Sequence, residues 1–199
     1  MNPFAFKYYL SCSAHSFANR ILVGAFMLLA VSIPAQAWSA ESSKPKFGPV
    51  IEGMGPYFDI PGGYNLEPGM HYRAVMDVAD GPQSPADLNR GIESAARFLN
   101  MHAASGIAAS DMELALVLHG QAAKAALDNE AYRQRYESDN PNDAMLRALH
   151  DAGVKIYLCG QSAAFSGYNA EEIHPSITMA LSAMTVLTRL QVEGWALLP

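Results

Sequence analysis

From residue 72 to the C-terminus, short apolar runs alternate with stretches of helical period, the pattern of successive βαβ units and a mostly parallel sheet. Residues 72–79 read as a first strand. Ser84-Pro85-Ala86-Asp87 then offers an N-cap, a proline for the first helical position and an acid for the first turn. Leu88, Ile92, Ala95 and Leu99 share one face of the helix that this start predicts, and Gly106 ends it. The unbroken run 114–118 before His119-Gly120 predicts a central strand covered on both faces.

Two helical stretches follow, over about 122–136 and 142–152, with Asn140-Pro141 and Gly153 as punctuation. Residues 154–159 form a third strand closed by Gly160. Further on, 177–181 predicts a short strand and 183–193 a helix stopped by Gly194. Residues 195–198 give a last strand, for about five in all. The methionines lie mostly on apolar segments, and Met179 and Met184 are read as core filling.

The N-terminal third has a different texture. Lys7 and Arg20 precede the uncharged run 21–33, which is short for a membrane span of about 20 residues. Pro34 and then Ala35-Gln36-Ala37 follow, so 1–37 reads as a signal peptide cleaved after Ala37. The expected product is a periplasmic or secreted protein starting near Trp38, with no membrane attachment after cleavage. Between 44 and 70 the density of Pro and Gly argues against regular secondary structure. Val50, Ile51, Phe58, Ile60 and Tyr64 are more apolar than a solvated linker needs. Residues 38–70 therefore read as an arm that packs on its own domain, 71–199, or on a neighbouring subunit.

Charge narrows the partners. The full chain carries 13 basic and 19 acidic residues; without 1–37 the balance is 11 against 19, a net charge of −8. No basic cluster appears, which argues against nucleic acid or an anionic membrane surface. No histidine pair has i, i+4 spacing and no second cysteine remains after cleavage, so no metal site is expected. Strand one is followed by the turn signal Asp80-Gly81-Pro82 and not by a glycine-rich phosphate loop, so no nucleotide is expected.

Cys12 leaves with the signal peptide, so Cys159 stands alone in an oxidising compartment. Such a residue is buried and inert, half of an intermolecular bridge, or a reactive thiol. It sits at the carboxyl end of a strand, where open α/β sheets bind ligands. If 161–165 begins a helix, the N–H groups there favour a thiolate.

The segment Val154-Lys155-Ile156-Tyr157-Leu158-Cys159-Gly160-Gln161-Ser162 resembles the strand-to-cysteine segment of DsrE/DsrF-like proteins. Leu118-His119-Gly120 and Leu181-Ser182-Ala183-Met184-Thr185 fit the same family, and Gly48-Pro49-Val50-Ile51-Glu52-Gly53 looks like the arm of its exported members. The resemblance implies a three-layer α/β/α domain, homo-oligomers such as trimers or hexamers, and no metal or organic cofactor. It also implies a persulfide carried on Cys159 and exchanged with a thiol-bearing donor or acceptor protein.

The relay members on which these expectations rest are cytoplasmic, so their donors and acceptors do not transfer to an exported chain. Around Cys159, His119 is a candidate base or orienting group at the end of the neighbouring strand. Gly160, Gln161 and Ser162 are candidate binding residues, with Gln161 and Ser162 as hydrogen-bond donors. Asp77 and Asp80 read as loop or binding residues, because an acid beside a thiolate would raise its pKa. Two other classes stay open: a scaffold oligomer with an inert Cys159, and a redox sensor in which Cys159 cycles through sulfenic acid or an intersubunit disulfide.

Overall fold

A computed structural model of the chain describes residues 44–63, 66, 67 and 69–199. The expected signal peptide, its cleavage point, Cys12 and Trp38 lie outside the described residues. Five parallel strands form one sheet: β1 (Tyr72–Val78), β2 (Met112–Leu118), β3 (Lys155–Cys159), β4 (Thr178–Ala180) and β5 (Ala196–Leu198), in the order β4-β3-β2-β1-β5. The helices are α1 (Arg90–Ala104), α2 (Asn129–Tyr136), α3 (Asp143–Asp151), α4 (Gly160–Ser166) and α5 (Ala183–Val192).

β2 is the middle strand, and its run from Leu114 to Leu118 is at most 2% exposed, as a strand covered on both faces must be. Leu114, Leu116 and Leu118 point to one layer with α1 and α3, while Ala115 and Val117 point to the other, under α5. Each fully buried leucine or valine side chain is worth about 1.5–3 kcal/mol. The first three crossovers pack on the α1 side. Among the described residues α5 is the helix on the opposite face, carrying the chain from β4 at one edge to β5 at the other. The layers are therefore α/β/α.

Four readings need correction. α1 starts at Arg90 and not at Pro85; its cap is Asn89, whose side chain accepts from Gly91 N and Ile92 N. Ser84 instead closes a turn by accepting from Ala86 N. The choice is tertiary: Asn89 donates its backbone N–H to Asn142 Oδ1 at 2.8 Å and its side-chain amide to the Asp80 carbonyl at 2.8 Å. Leu88, outside the helix, is 38% exposed.

The stretch 122–136 is two elements, a 3-10 turn over Gly120–Ala126 and then α2, whose start is capped by Asp128. Buried Asn140 holds the break by donating to the carbonyls of Ala125 and Leu127. Met179 and Met184 are not core filling: they are 40% and 75% exposed. β4 is an edge strand and Met184 lies in the outward first turn of α5, so neither side chain has a layer to pack against.

The arm packs on α1. Fully buried Asn100 accepts from Val50 N and Ile51 N, at 3.1 and 2.7 Å, and donates to the carbonyls of Ile51 and Met54. Arg97 Nε donates to the Pro56 carbonyl at 2.7 Å. Gly55 lies against the α1 backbone, where an added Cβ would come within 2.4 Å of Arg97 N. One antiparallel bridge, Lys46 with Tyr57, is the arm's regular pairing among the described residues.

Candidate functional site

The carboxyl ends of β1, β2 and β3 place three polar side chains on the α5 face. Val75, Val117 and Cys159 share the α5-side core, and strand alternation puts Asp77 and His119 on the same side. His119 continues β2 with extended backbone, its N–H donating to the Val78 carbonyl at 3.0 Å. Its Nε2 lies 2.6 Å from Asp77 Oδ1. The carboxylate thus orients the imidazole, and the partner of His119 is Asp77, not the thiol.

Cys159 ends β3 and is the N-cap of α4, 5% exposed. The sulfur makes no conventional capping hydrogen bond. Its surroundings nevertheless favour the thiolate. Burial pushes the Cys159 pKa up, but the Ser162 hydroxyl and the N–H groups of Ser162, Ala183 and Gln161 outweigh it and hold the pKa below the ordinary thiol value. These donors come from two helix starts, since Ala183 opens α5. Ser182 caps that helix by accepting from Thr185 N at 3.1 Å.

Ser162 links two strands' ends. Its Oγ accepts from Gly120 N at 3.0 Å, which leaves the hydroxyl proton free to point at the sulfur. Gly120 has φ +53°, a left-handed conformation suited to glycine, and an added Cβ would sit 3.2 Å from the Ala79 carbonyl oxygen. Gly160 is needed for a different reason. A Cβ there would meet the carbonyl oxygens of Ala180 and Leu181 at 2.6 and 3.3 Å. Only a glycine lets the β4–α5 loop pass close enough to aim Ala183 N at the sulfur. Gln161 Nε2 donates to the Leu181 carbonyl at 3.3 Å and ties down the same loop.

The five residues expected from the sequence therefore divide. Cys159, Ser162 and Gln161 converge on the sulfur; Gly160 acts through packing; His119 stands on the same face, paired with Asp77. The sequence reading missed the Ala183 N–H, because a backbone donor leaves no signature in side-chain chemistry.

Two clefts flank this region. One, of about 920 Å³, opens at the end of β1 and is lined by Asp77, Asp80, Asp87 and Asn89 among others. The other, of about 650 Å³, lies between the 3-10 turn and α4 and has Ser162 in its lining. Among the described residues no group of three or more His, Cys, Asp or Glu side chains is arranged to hold a metal ion, and no helix is long and apolar enough to cross a membrane.

The sequence model of the DsrE/DsrF-like family matches residues 74–199. Two solved structures have a similar arrangement: a protein of unknown function, MTH1491, from Methanobacterium thermoautotrophicum, and the ychN protein from E. coli. Each is 16% identical, and each match covers 64% of this chain and 97% of the other, with TM-scores of 0.49 and 0.46. No curated protein matches significantly.

Proposed function

The chain belongs to the DsrE/DsrF-like family, and from that premise we propose that it carries a sulfane sulfur as a persulfide on Cys159. Membership suggests a sulfur-relay-related function; the carrier step is our reading. The placement of Cys159 supports it above the rest: the residue caps α4 beside the start of α5, where the surrounding N–H and hydroxyl groups favour the thiolate, the form that attacks sulfur.

In the reaction, the Cys159 thiolate attacks the outer sulfur of a donor persulfide, R–S–SH. A new S–S bond forms as the donor's own S–S bond breaks, the electron pair leaves with the donor as R–S⁻, and the transferred sulfur keeps its proton. An acceptor thiolate then repeats the exchange on Cys159–S–SH and regenerates the Cys159 thiolate. No external oxidant or reductant enters. Gln161, Ser162 and Ala183 stabilise the thiolate both as nucleophile and as leaving group.

The expected setting is the periplasm or the outside of the cell, after removal of 1–37. The expected assembly is a homo-oligomer, trimer or hexamer, for which the exposed Leu181, Met184 and Val192, at 73%, 75% and 84%, offer apolar surface. Light scattering tests the assembly; a monomer at micromolar concentration contradicts it. A second reading has its own support, because 5% exposure suits an inert cysteine in a scaffold protein. Cyanolysis separates the two. After incubation with a low-molecular-weight persulfide and desalting, a carrier releases thiocyanate upon cyanide treatment, and Cys159→Ser releases none. An inert cysteine gives no thiocyanate in either protein.

A further inference from the structure

The cleft between the 3-10 turn and α4 shares Gln161 and Ser162 with the sulfur site, and its other lining residues take no part in holding the thiolate. Its volume of about 650 Å³ falls in the range of small-molecule sites, roughly 300–1,000 Å³. A bare inorganic anion would leave most of it empty. Its walls suit an organic ligand. Tyr136 and Tyr168 stand together with their hydroxyls 3.0 Å apart, and Arg135, paired with Glu172, stacks over the Tyr168 ring and fixes it. Phe165 lies in the lining and is 95% exposed. An aromatic ring left in water beside a cleft gains by covering a ligand.

The charge of the cleft selects further. Lys124 is its charged lining residue, with Gln161 as an amide donor, and no carboxylate is found among the described residues that line it. Lys124 Nζ uses one donor on the Pro82 carbonyl at 3.3 Å and has others to offer. In a chain of net charge −6 this is a local site for an anion.

We propose that this cleft binds the body of the sulfur donor, a low-molecular-weight organic thiol persulfide bearing a carboxylate, with the carboxylate on Lys124 and the carbon skeleton between Phe165 and the Tyr136–Tyr168 pair. The proposal rests on the carrier reading for the donor's sulfur and on the cleft alone for its anionic organic body. Ser162 stands where the two meet, facing the cleft and favouring the thiolate.

The test uses the full chain carrying Cys159→Ser and the probe S-methylglutathione, an anionic tripeptide whose sulfur is blocked. Binding can then be measured by titration calorimetry with no sulfur transfer. Saturable binding is expected. Lys124→Met should weaken it about tenfold, in line with the loss of one hydrogen bond to a charged group. Phe165→Ala should weaken it by several-fold, without loss of stability because the ring covers no core.

Equal urea midpoints for the three proteins show that the losses are not unfolding. No saturable binding overturns the proposal, as does binding indifferent to both substitutions, or binding of thiosulfate as tight as that of the tripeptide. Failure here leaves thiocyanate release from wild-type protein intact. Conversely, tripeptide binding without any thiocyanate release would sink the carrier reading and keep the cleft.

Discussion

Ser162→Ala removes the hydroxyl that favours the Cys159 thiolate and leaves the two strands and both helix starts in place. A hydrogen bond to a charged group is worth about 1.5–3 kcal/mol, but Ser162 is half-buried and the acceptor is a diffuse sulfur, so about 1 kcal/mol is the reasonable value. The Cys159 pKa should rise, and at 1.36 kcal/mol per tenfold the thiolate population near neutral pH should fall about fivefold. The Gly120 N–H also loses its acceptor, but at an exposed position where water replaces it, so the stability cost stays below about 1 kcal/mol. The assay is the rate of alkylation by iodoacetamide across pH, followed by intact mass on folded protein. The wild-type midpoint should lie below that of an unperturbed thiol, that of Ser162→Ala higher, and Ser162→Thr should restore most of the difference. An unchanged midpoint in a folded Ser162→Ala protein would refute the role given to the hydroxyl.

Gly160→Ala forces a Cβ to within 2.6 Å of the Ala180 carbonyl oxygen, a backbone atom that cannot move cheaply; a loss of about 1–3 kcal/mol by urea unfolding is expected, and a loss near zero contradicts the packing role. Asn100→Ala breaks four bonds that hold residues 50–54 on α1, so stability should fall by about 3 kcal/mol and proteolysis near the arm should quicken, whereas unchanged cleavage would show the clamp dispensable. Buried His174 has a pKa below its ordinary value, chiefly through burial, partly offset by Asp143. The unfolded chain therefore takes up a proton that the fold resists, so the stability due to neutral His174 is complete above the unfolded pKa of about 6.5 and is lost as pH falls from there towards the lower folded pKa. Urea midpoints at pH 7.5 and 5.5 should differ more in wild type than in His174→Asn, and equal differences would contradict this.

What the sequence reveals depends on how local the cause is. The run 114–118 announces itself because the strand is buried as a unit, and the cysteine at the end of 154–159 because the buried Val154, Ile156 and Leu158 lead straight to it. The start of α1 does not, since Ser84 and Asn89 are both adequate caps and the decision lies with Asn142, 53 residues away from Asn89. The Ala-rich stretch after His119 has helical composition, yet Ala122 N donates to the Ala79 carbonyl and Asn140 takes the carbonyls of Ala125 and Leu127, so long-range bonds replace an α-helical start. At the site, Cys159, Gln161 and Ser162 are neighbours in sequence and were legible together. The Asp77–His119 pair and the Tyr136–Tyr168 wall join residues 42 and 32 positions apart, and only the sheet order and the packing of the segment after α4 on α2 bring them together.

The central claim is that Cys159 holds sulfur, and the intact mass of the chain without residues 1–37, which carry the other cysteine, Cys12, tests it most directly after exposure to a persulfide donor. Wild-type protein should gain the mass of one sulfur atom, lose it on adding a thiol reductant, and the Cys159→Ser protein should gain nothing. A gain of oxygen instead would mark a redox sensor, no gain would mark an inert cysteine, and equal sulfur on Cys159→Ser would place the chemistry elsewhere; any of the three contradicts the account.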